Sequence, residues 1–195
     1  MFKKICQLNI GGFGVRKVEI RRPRTGDIEE LYQFFRIVIT DTFAKEGLAG
    51  LIDDIEAEIE SKKKYLHLDL DSEGEKRYFL IALAENKIIG TIEYGPASKL
   101  IQDCTNGKLR NLVEVGTVFV LPDYQRKGIG NKLLAQMLYT LKARGILEFC
   151  LDSGYKNAQT IWKKKFGEPD YLLKDYWGHG QDHMIWKIST SGAYF

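Results

Sequence analysis

Cysteine is scarce and dispersed: three residues, Cys6, Cys104 and Cys150, with no Cys-x-x-Cys pair among them. An odd, scattered set excludes a disulfide framework and a cysteine-based zinc site, and it fits incidental thiols in a reducing cytoplasm. Long apolar runs are missing too. Nothing approaches the ~20 residues that a membrane helix needs. The basic start Met1-Phe2-Lys3-Lys4 is not followed by the apolar stretch of a signal peptide. Nor is there a surplus of one charge: 29 Lys and Arg stand against 26 Asp and Glu, a net of +3. That is too little to imply nucleic-acid binding, although it suits an anionic small molecule. Internal repeats, low-complexity segments and linkers are absent, so residues 15–195 are expected to form one domain behind a loosely held arm, 1–14, that ends in Gly11-Gly12-Phe13-Gly14.

What is present is an ordinary globular composition, 44% hydrophobic and 28% charged. Its periodicity alternates between strand and helix. Val15–Arg21 predicts a first strand, stopped by Pro23. Asp27 and Glu30 have capping-box spacing before a helix that buries Ile28, Leu31, Phe35, Val38 and Ile39. After Gly47 and Gly50, a second helix is expected to turn Leu51, Ile52, Ile55 and Ile59 inward and its acids outward. Tyr78–Ala84 and Ile88–Tyr94 predict a hairpin turning at Asn86-Lys87. Gly90 inside the second strand suggests a bulge or a close backbone approach. Pro96–Lys108 reads as a polar loop. Leu112–Leu121 is apolar on both faces, as a central strand should be, with a break only at Glu114-Val115-Gly116-Thr117. A helix then buries Ile129, Leu133, Leu134, Met137, Leu138 and Leu141, and Gly145 ends it. Ile146–Leu151, Ala158–Phe166 and His183–Ile188 complete the order as strand, helix and strand. The fold class is α/β, with a mixed sheet flanked by helices.

Between the central strand and its helix the chain reads Pro122-Asp123-Tyr124-Gln125-Arg126-Lys127-Gly128-Ile129-Gly130. The first N–H groups of a helix lack internal acceptors, and with the helix dipole they attract anions. Gly128 and Gly130 let the backbone approach a phosphate closely. Arg126 and Lys127 add charge. A diphosphate fits. The Walker spacing and the Gly-x-Gly-x-x-Gly dinucleotide fingerprint are both absent. The pattern Gln-x-x-Gly-x-Gly, with the strand before it and the helix after it, resembles the GNAT superfamily of N-acetyltransferases. The likeness is sharp over residues 112–145 and extends in element order over roughly 15–190.

The resemblance implies a GNAT-like fold with a V-shaped cofactor slot and acetyl-CoA as co-substrate. It implies that Gln125, Arg126, Lys127, Gly128, Ile129, Gly130 and Asn131 hold the pyrophosphate. Val118, Phe119 and Val120 would pair with the pantetheine arm and offer an oxyanion N–H to the thioester, while Phe149–Asp152 splays away. Asn157 would bond the pantetheine amides; as a residue it reads equally well as a helix N-cap. Glu114 is the candidate base, read as the only acid inside an apolar central strand, where desolvation raises its pKa toward neutrality; its structural alternative is a tie to a backbone group or to Arg110. The family's helix tyrosine, the usual acid, is missing: Trp162, Lys163 or Lys164 takes its place depending on the anchor used for counting. Tyr155 or water is left as proton source.

Lys62-Lys63-Lys64 and Lys163-Lys164-Lys165 read as solvated helix surface, the second also as a contact for the 3′-phosphate. His179 and His183 read as a loop and a strand histidine, with a place in the acceptor-pocket lining as the lesser alternative for one of them, and no metal is expected. Trp177 and Trp186 read as core or acceptor-pocket wall. Asp41 and Glu46 face the acceptor if the family layout holds. The expected partners are acetyl-CoA and an amine-bearing acceptor, without nucleic acid or membrane. A homodimer, common in such folds, stays open. The alternative function is a non-catalytic acyl-CoA-binding module.

Overall fold

A computed structural model describes residues 18–191. The expected N-terminal arm and the start of the first strand lie outside them. The elements run β1 (Glu19–Arg21), α1 (Ile28–Lys45), α2 (Ile52–Asp71), β2 (Tyr78–Ala84), β3 (Lys87–Pro96), α3 (Lys99–Cys104), β4 (Val113–Val120), α4 (Ile129–Ala143), β5 (Glu148–Ser153), α5 (Lys156–Phe166), β6 (Tyr171–Leu173) and β7 (His183–Ser189). The strands form one seven-stranded sheet in the order β1-β2-β3-β4-β5-β7-β6. Every neighbouring pair is antiparallel except β4 and β5, which are parallel. The sheet is therefore mixed, and its single parallel pair is joined by the crossover through α4.

Alternation along β2 sorts the helices onto two faces. Tyr78 lies beneath Arg144 at the end of α4, whereas its neighbour Phe79 meets Phe35 of α1. On β5, Phe149 meets Phe166 of α5, while Cys150 packs with Ile101 of α3. So α4 and α5 cover one face, and α1, α2 and α3 the other. The six apolar positions expected on α4 are all buried. Gly90 serves both expected purposes. The β2–β3 register shifts beside it, and a Cβ there would stand 2.9 Å from Leu133 Cδ1 and 3.1 Å from the Phe119 carbonyl.

Several expectations need correction. Asp27 does not box with Glu30. It belongs to the 3-10 turn before α1, where it accepts from Arg24 N at 2.7 Å and from the Arg21 guanidinium. Glu30 instead accepts from Ile88 N. Leu51 and Ile52 are exposed, because α2 packs through Ile55, Ile59 and Leu66, further along the helix. The hairpin turns on Glu85-Asn86, both at positive φ, and Lys87 already pairs with Ala84. The loop expected after Pro96 holds the short α3, capped by Ser98. β5 starts two residues later than expected, α5 starts two residues earlier, and the edge strand β6 was not anticipated. Among the described residues no helix is long and apolar enough to cross a membrane.

Candidate active site

The parallel pair is short. β4 and β5 pair only at Val113↔Phe149 and Glu114↔Cys150. Beyond that point β4 follows β3 as far as Val120, while β5 follows β7 as far as Ser153. The two strands part, but later on β5 than expected: Phe149 and Cys150 still pair with β4 and only Leu151 and the residues after it diverge, which leaves the β4 edge from Val115 to Val120 without a strand partner among the described residues. Alternate backbone groups of that edge point into the slot and have hydrogen-bonding capacity to spare.

A bulge shapes this edge. The β3–β4 register shifts between Thr91 and Glu93, and Thr117 sits at φ +50°. A β-branched residue in the left-handed region is strained by about 1–3 kcal/mol and needs fixing from outside. Two side-chain bonds fix it: Thr91 Oγ1 donates to the Thr117 carbonyl at 2.9 Å, and Thr117 Oγ1 donates to Glu93 Oε1 at 3.0 Å. Glu93 is 2% exposed and pairs with Arg77 at 2.6 Å. Arg77 in turn lies 3.6 Å from the Tyr65 ring centroid of α2. Glu114 is thus not the only acid inside an apolar strand; Glu93 is another, neutralised and structural.

Glu114 shares the α1–α3 face with Glu93 and is less committed. One oxygen, Oε2, accepts from Ser98 N at 2.6 Å, and Arg110 is turned away to bond the Gly107 carbonyl. Burial, then the neighbouring charge of Asp152, pushes the Glu114 carboxyl up to about 7, against the opposing bond from Ser98 N. Cys150, across from it, is pushed up to about 12 by burial and by the Glu114 and Asp152 charges, so it stays a thiol.

The turn from β4 into α4 is open. Arg126 and Gly128 have positive φ, at +59° and +79°, and Lys127 between them does not. Such alternation directs successive amides toward one point. Among the described residues, the amides from Arg126 to Asn131 have no protein acceptor. Arg126, Lys127 and Gly128 are exposed, and a Cβ on Gly128 would meet nothing within 4 Å. Positive φ, not crowding, is what requires glycine there. Gln125 does not face an anion directly: its Nε2 donates to the Val120 carbonyl and its Oε1 accepts from Lys45. Lys165 Nζ donates to Asn131 Oδ1 at 2.7 Å, so this lysine reaches the α4 N-terminus from α5.

At the turn from β5 into α5, Asn157 is the second helical residue and not the N-cap. Glu46, at the end of α1, takes the capping role from across the slot and accepts from Lys156 N, Asn157 N and Asn157 Nδ2. Lys62 is not plain solvated surface either. Its side chain is 14% exposed and pairs with Glu58. Burial lowers its proton affinity, but the Glu58 and Glu93 charges outweigh that and hold it above its ordinary value. Trp162 is core, stacked on Phe166; Lys163 pairs with Glu168. Tyr155 packs edge-on against Phe43, and burial raises its phenol well above the usual range. Trp186 is core, and Trp177 is 56% exposed. Among the described residues no group of three or more His, Cys, Asp or Glu is placed to hold a metal ion. Clefts of about 230 and 550 Å³ lie around Glu75, Tyr94 and Val113, at the opposite end of β4 from the open turn.

Comparison with known proteins bears on this arrangement. Residues 41–167 match the model of the Acetyltransferase (GNAT) family. No curated protein sequence matches. Similar solved structures include PaiA N-acetyltransferase from Thermoplasma acidophilum in complex with coenzyme A, with TM-score 0.63 and 22% identity over 89% of this chain and 99% of that one. Ribosomal-protein-alanine N-acetyltransferase from Brucella melitensis gives 0.63 and 20% over 88% and 99%. An aminoglycoside 6′-N-acetyltransferase complexed with coenzyme A gives 0.61 and 11% over 88% and 97%. These three likenesses establish a shared fold.

Proposed function

Because the chain belongs to the GNAT acetyltransferase family, we propose that it transfers an acetyl group from acetyl-CoA to a primary amine by direct attack within a ternary complex. The observation that carries this reading is the open turn from Arg126 to Asn131, six amides without acceptors among the described residues, on the same strand-and-helix unit as Glu114, which stands where β4 and β5 part. Backbone amides, Arg126 and Lys127 receive the pyrophosphate. Lys165 lies close enough to Asn131 to add charge at the same helix terminus. Gln125 stiffens the turn by bonding Val120. Val118, Phe119 and Val120 offer the free β4 edge to the pantetheine amides, and a donor on that edge stabilises the oxyanion. Asn157 joins the pantetheine contacts by exchanging Glu46 for them.

The acceptor arrives as an ammonium ion. Glu114, poised near 7, takes one proton from it. The free nitrogen attacks the thioester carbonyl, the C–N bond forms, and the C–S bond breaks as the oxyanion collapses. The thiolate takes the remaining surplus proton from the attacking nitrogen or through water, so no helix tyrosine is required. A covalent acetyl-cysteine route is disfavoured, since Cys150, the cysteine paired with Glu114, is fully buried and stays protonated.

Calorimetry with acetyl-CoA, followed by turnover assays on four amines, tests the reading. The amines are 1,4-diaminobutane, Nα-acetyl-lysine amide, an aminoglycoside and an alanine-terminated peptide. Micromolar binding and acetylation of at least one are expected; no binding of acetyl-CoA sinks the proposal. The non-catalytic module draws support from the absence of a tyrosine at all three positions that can be counted to the family's acid: Trp162 is core, Lys163 pairs with Glu168, and the third is Lys164. It predicts binding without turnover of any amine.

A further inference from the structure

A hydrogen-bonded chain that the steps above leave unused ends where β5 leaves β4. Trp177 Nε1–H donates to His183 Nδ1 at 3.1 Å. A ring nitrogen that accepts holds no proton, so the neutral ring carries its proton on Nε2. That nitrogen lies 3.2 Å from Asp152 Oδ2 and donates to it. His183 is 3% exposed, while the Asp152 side chain is 23% exposed. The chain runs from a surface loop, through a buried ring, to a carboxylate at the point where β5 leaves β4.

Its parts fit one another. A Cβ on Gly154 would stand 2.7 Å from Trp177 Nε1 and 3.4 Å from His183 Nδ1. Only glycine lets the indole reach the ring. The loop that carries Trp177 is folded onto itself: Asp175 N donates to Asp182 Oδ1, and Trp177 N donates to the Gln181 carbonyl. Tyr176 meets Trp177 edge-on with ring centroids 4.8 Å apart, and lies 5.6 Å from His183. Asp152 itself is two residues past Cys150, the partner of Glu114, and therefore shares the Glu114 face. Of the two carboxylates whose charge reaches Glu114, Glu93 is neutralised by Arg77. Asp152 has no Arg or Lys partner among the described residues; His183 is the group that bonds it.

We propose that Asp152 is the second carboxylate of the acceptor site, receiving the incoming ammonium together with Glu114, and that His183 and Trp177 are positioning residues that fix its direction. This rests on the acetyl-transfer reading. The acceptor class is a protonated aliphatic amine. The proton goes to Glu114.

The test is steady-state kinetics with acetyl-CoA and the same four amines. Asp152→Asn raises the acceptor KM by about tenfold, with kcat and the KM for acetyl-CoA held within about threefold. Gly154→Ala, Trp177→Phe and His183→Leu raise the acceptor KM by about threefold to fivefold in the same pattern. His183→Gln, which keeps an N–H donor, restores most of it. Nitrogen NMR on wild type finds the His183 proton on Nε2. An unchanged acceptor KM in Asp152→Asn overturns the proposal, as do variants that lower only the melting temperature. A wild type that binds acetyl-CoA yet neither binds nor acetylates any of the four amines also overturns it. Failure to bind acetyl-CoA at all sinks the transfer reading itself, and this assignment with it.

Discussion

The turn from β4 into α4 and the turn from β5 into α5 are built alike: a strand of the parallel pair, a short bend, then the first turn of a helix. Both helix N-termini have orphan amides and a positive dipole end. They differ in what meets those amides. From Arg126 to Asn131 the described residues supply no acceptor. At Lys156 and Asn157 it supplies Glu46. One helix end is left open and the other is closed by a carboxylate of its own chain. A helix N-terminus alone therefore does not define an anion site. Vacancy and a left-handed residue at Gly128 distinguish the two. α1 touches both turns through adjacent residues, Lys45 on Gln125 and Glu46 on α5.

The comparison breaks most sharply at Gly128. A valine there meets no steric neighbour but cannot hold φ +79°. Acetyl-CoA affinity should fall at least ~100-fold while the melting temperature changes little; calorimetry paired with thermal unfolding reads both. Next in size is Glu114→Gln, expected to lower turnover on the order of 100-fold with acetyl-CoA binding retained. The same residue sets a pH dependence. The folded carboxyl lies at about 7, above its ordinary 4.5. The base form therefore grows as pH rises through 7, and so should kcat/KM. Stability moves the opposite way: ionising Glu114 costs the folded state, with no cost below 4.5, a growing one from 4.5 to 7 and the full one above. The glutamine variant should flatten both profiles between pH 5 and 8.

At the closed turn, Glu46→Ala should cost about 1 kcal/mol of stability, as loss of a cap does. By releasing Asn157 it should tighten acetyl-CoA binding by about twofold to threefold. Equal loss of binding in Glu46→Ala and Gly128→Val would erase the distinction between the turns. Smallest is Lys45→Met, which removes the prop on Gln125 and should weaken acetyl-CoA by about twofold at low salt.

Legibility in the sequence followed locality. The Gln125–Gly130 segment could be read because its chemistry is contiguous and belongs mostly to backbone. Glu114 stood out as an acid in an apolar run. Glu93 carried the same signal within Ile88–Tyr94 and went unread as an equal case; its separation from Glu114 depends on Arg77, sixteen residues away in sequence. Lys62 looked like helix surface because its neighbours in sequence are solvated, whereas its partners lie on β3 and one turn back on α2. Asp152, His183 and Trp177 come from a strand, another strand and a loop, so no local pattern joins them. α3 and β6 are too short for periodicity to register.

By itself the sequence determined the mixed α/β order, the apolar faces of α1 and α4, and a turn of unshared helix amides with two glycines. These depend on neighbours a few residues apart, where spacing fixes geometry. Tertiary structure decided where β4 and β5 part, which buried acid is neutralised and which stays near 7, and which of two similar helix ends is open. Each of those depends on charges and hydrogen bonds brought together from distant segments, and only the folded sheet sets their distances.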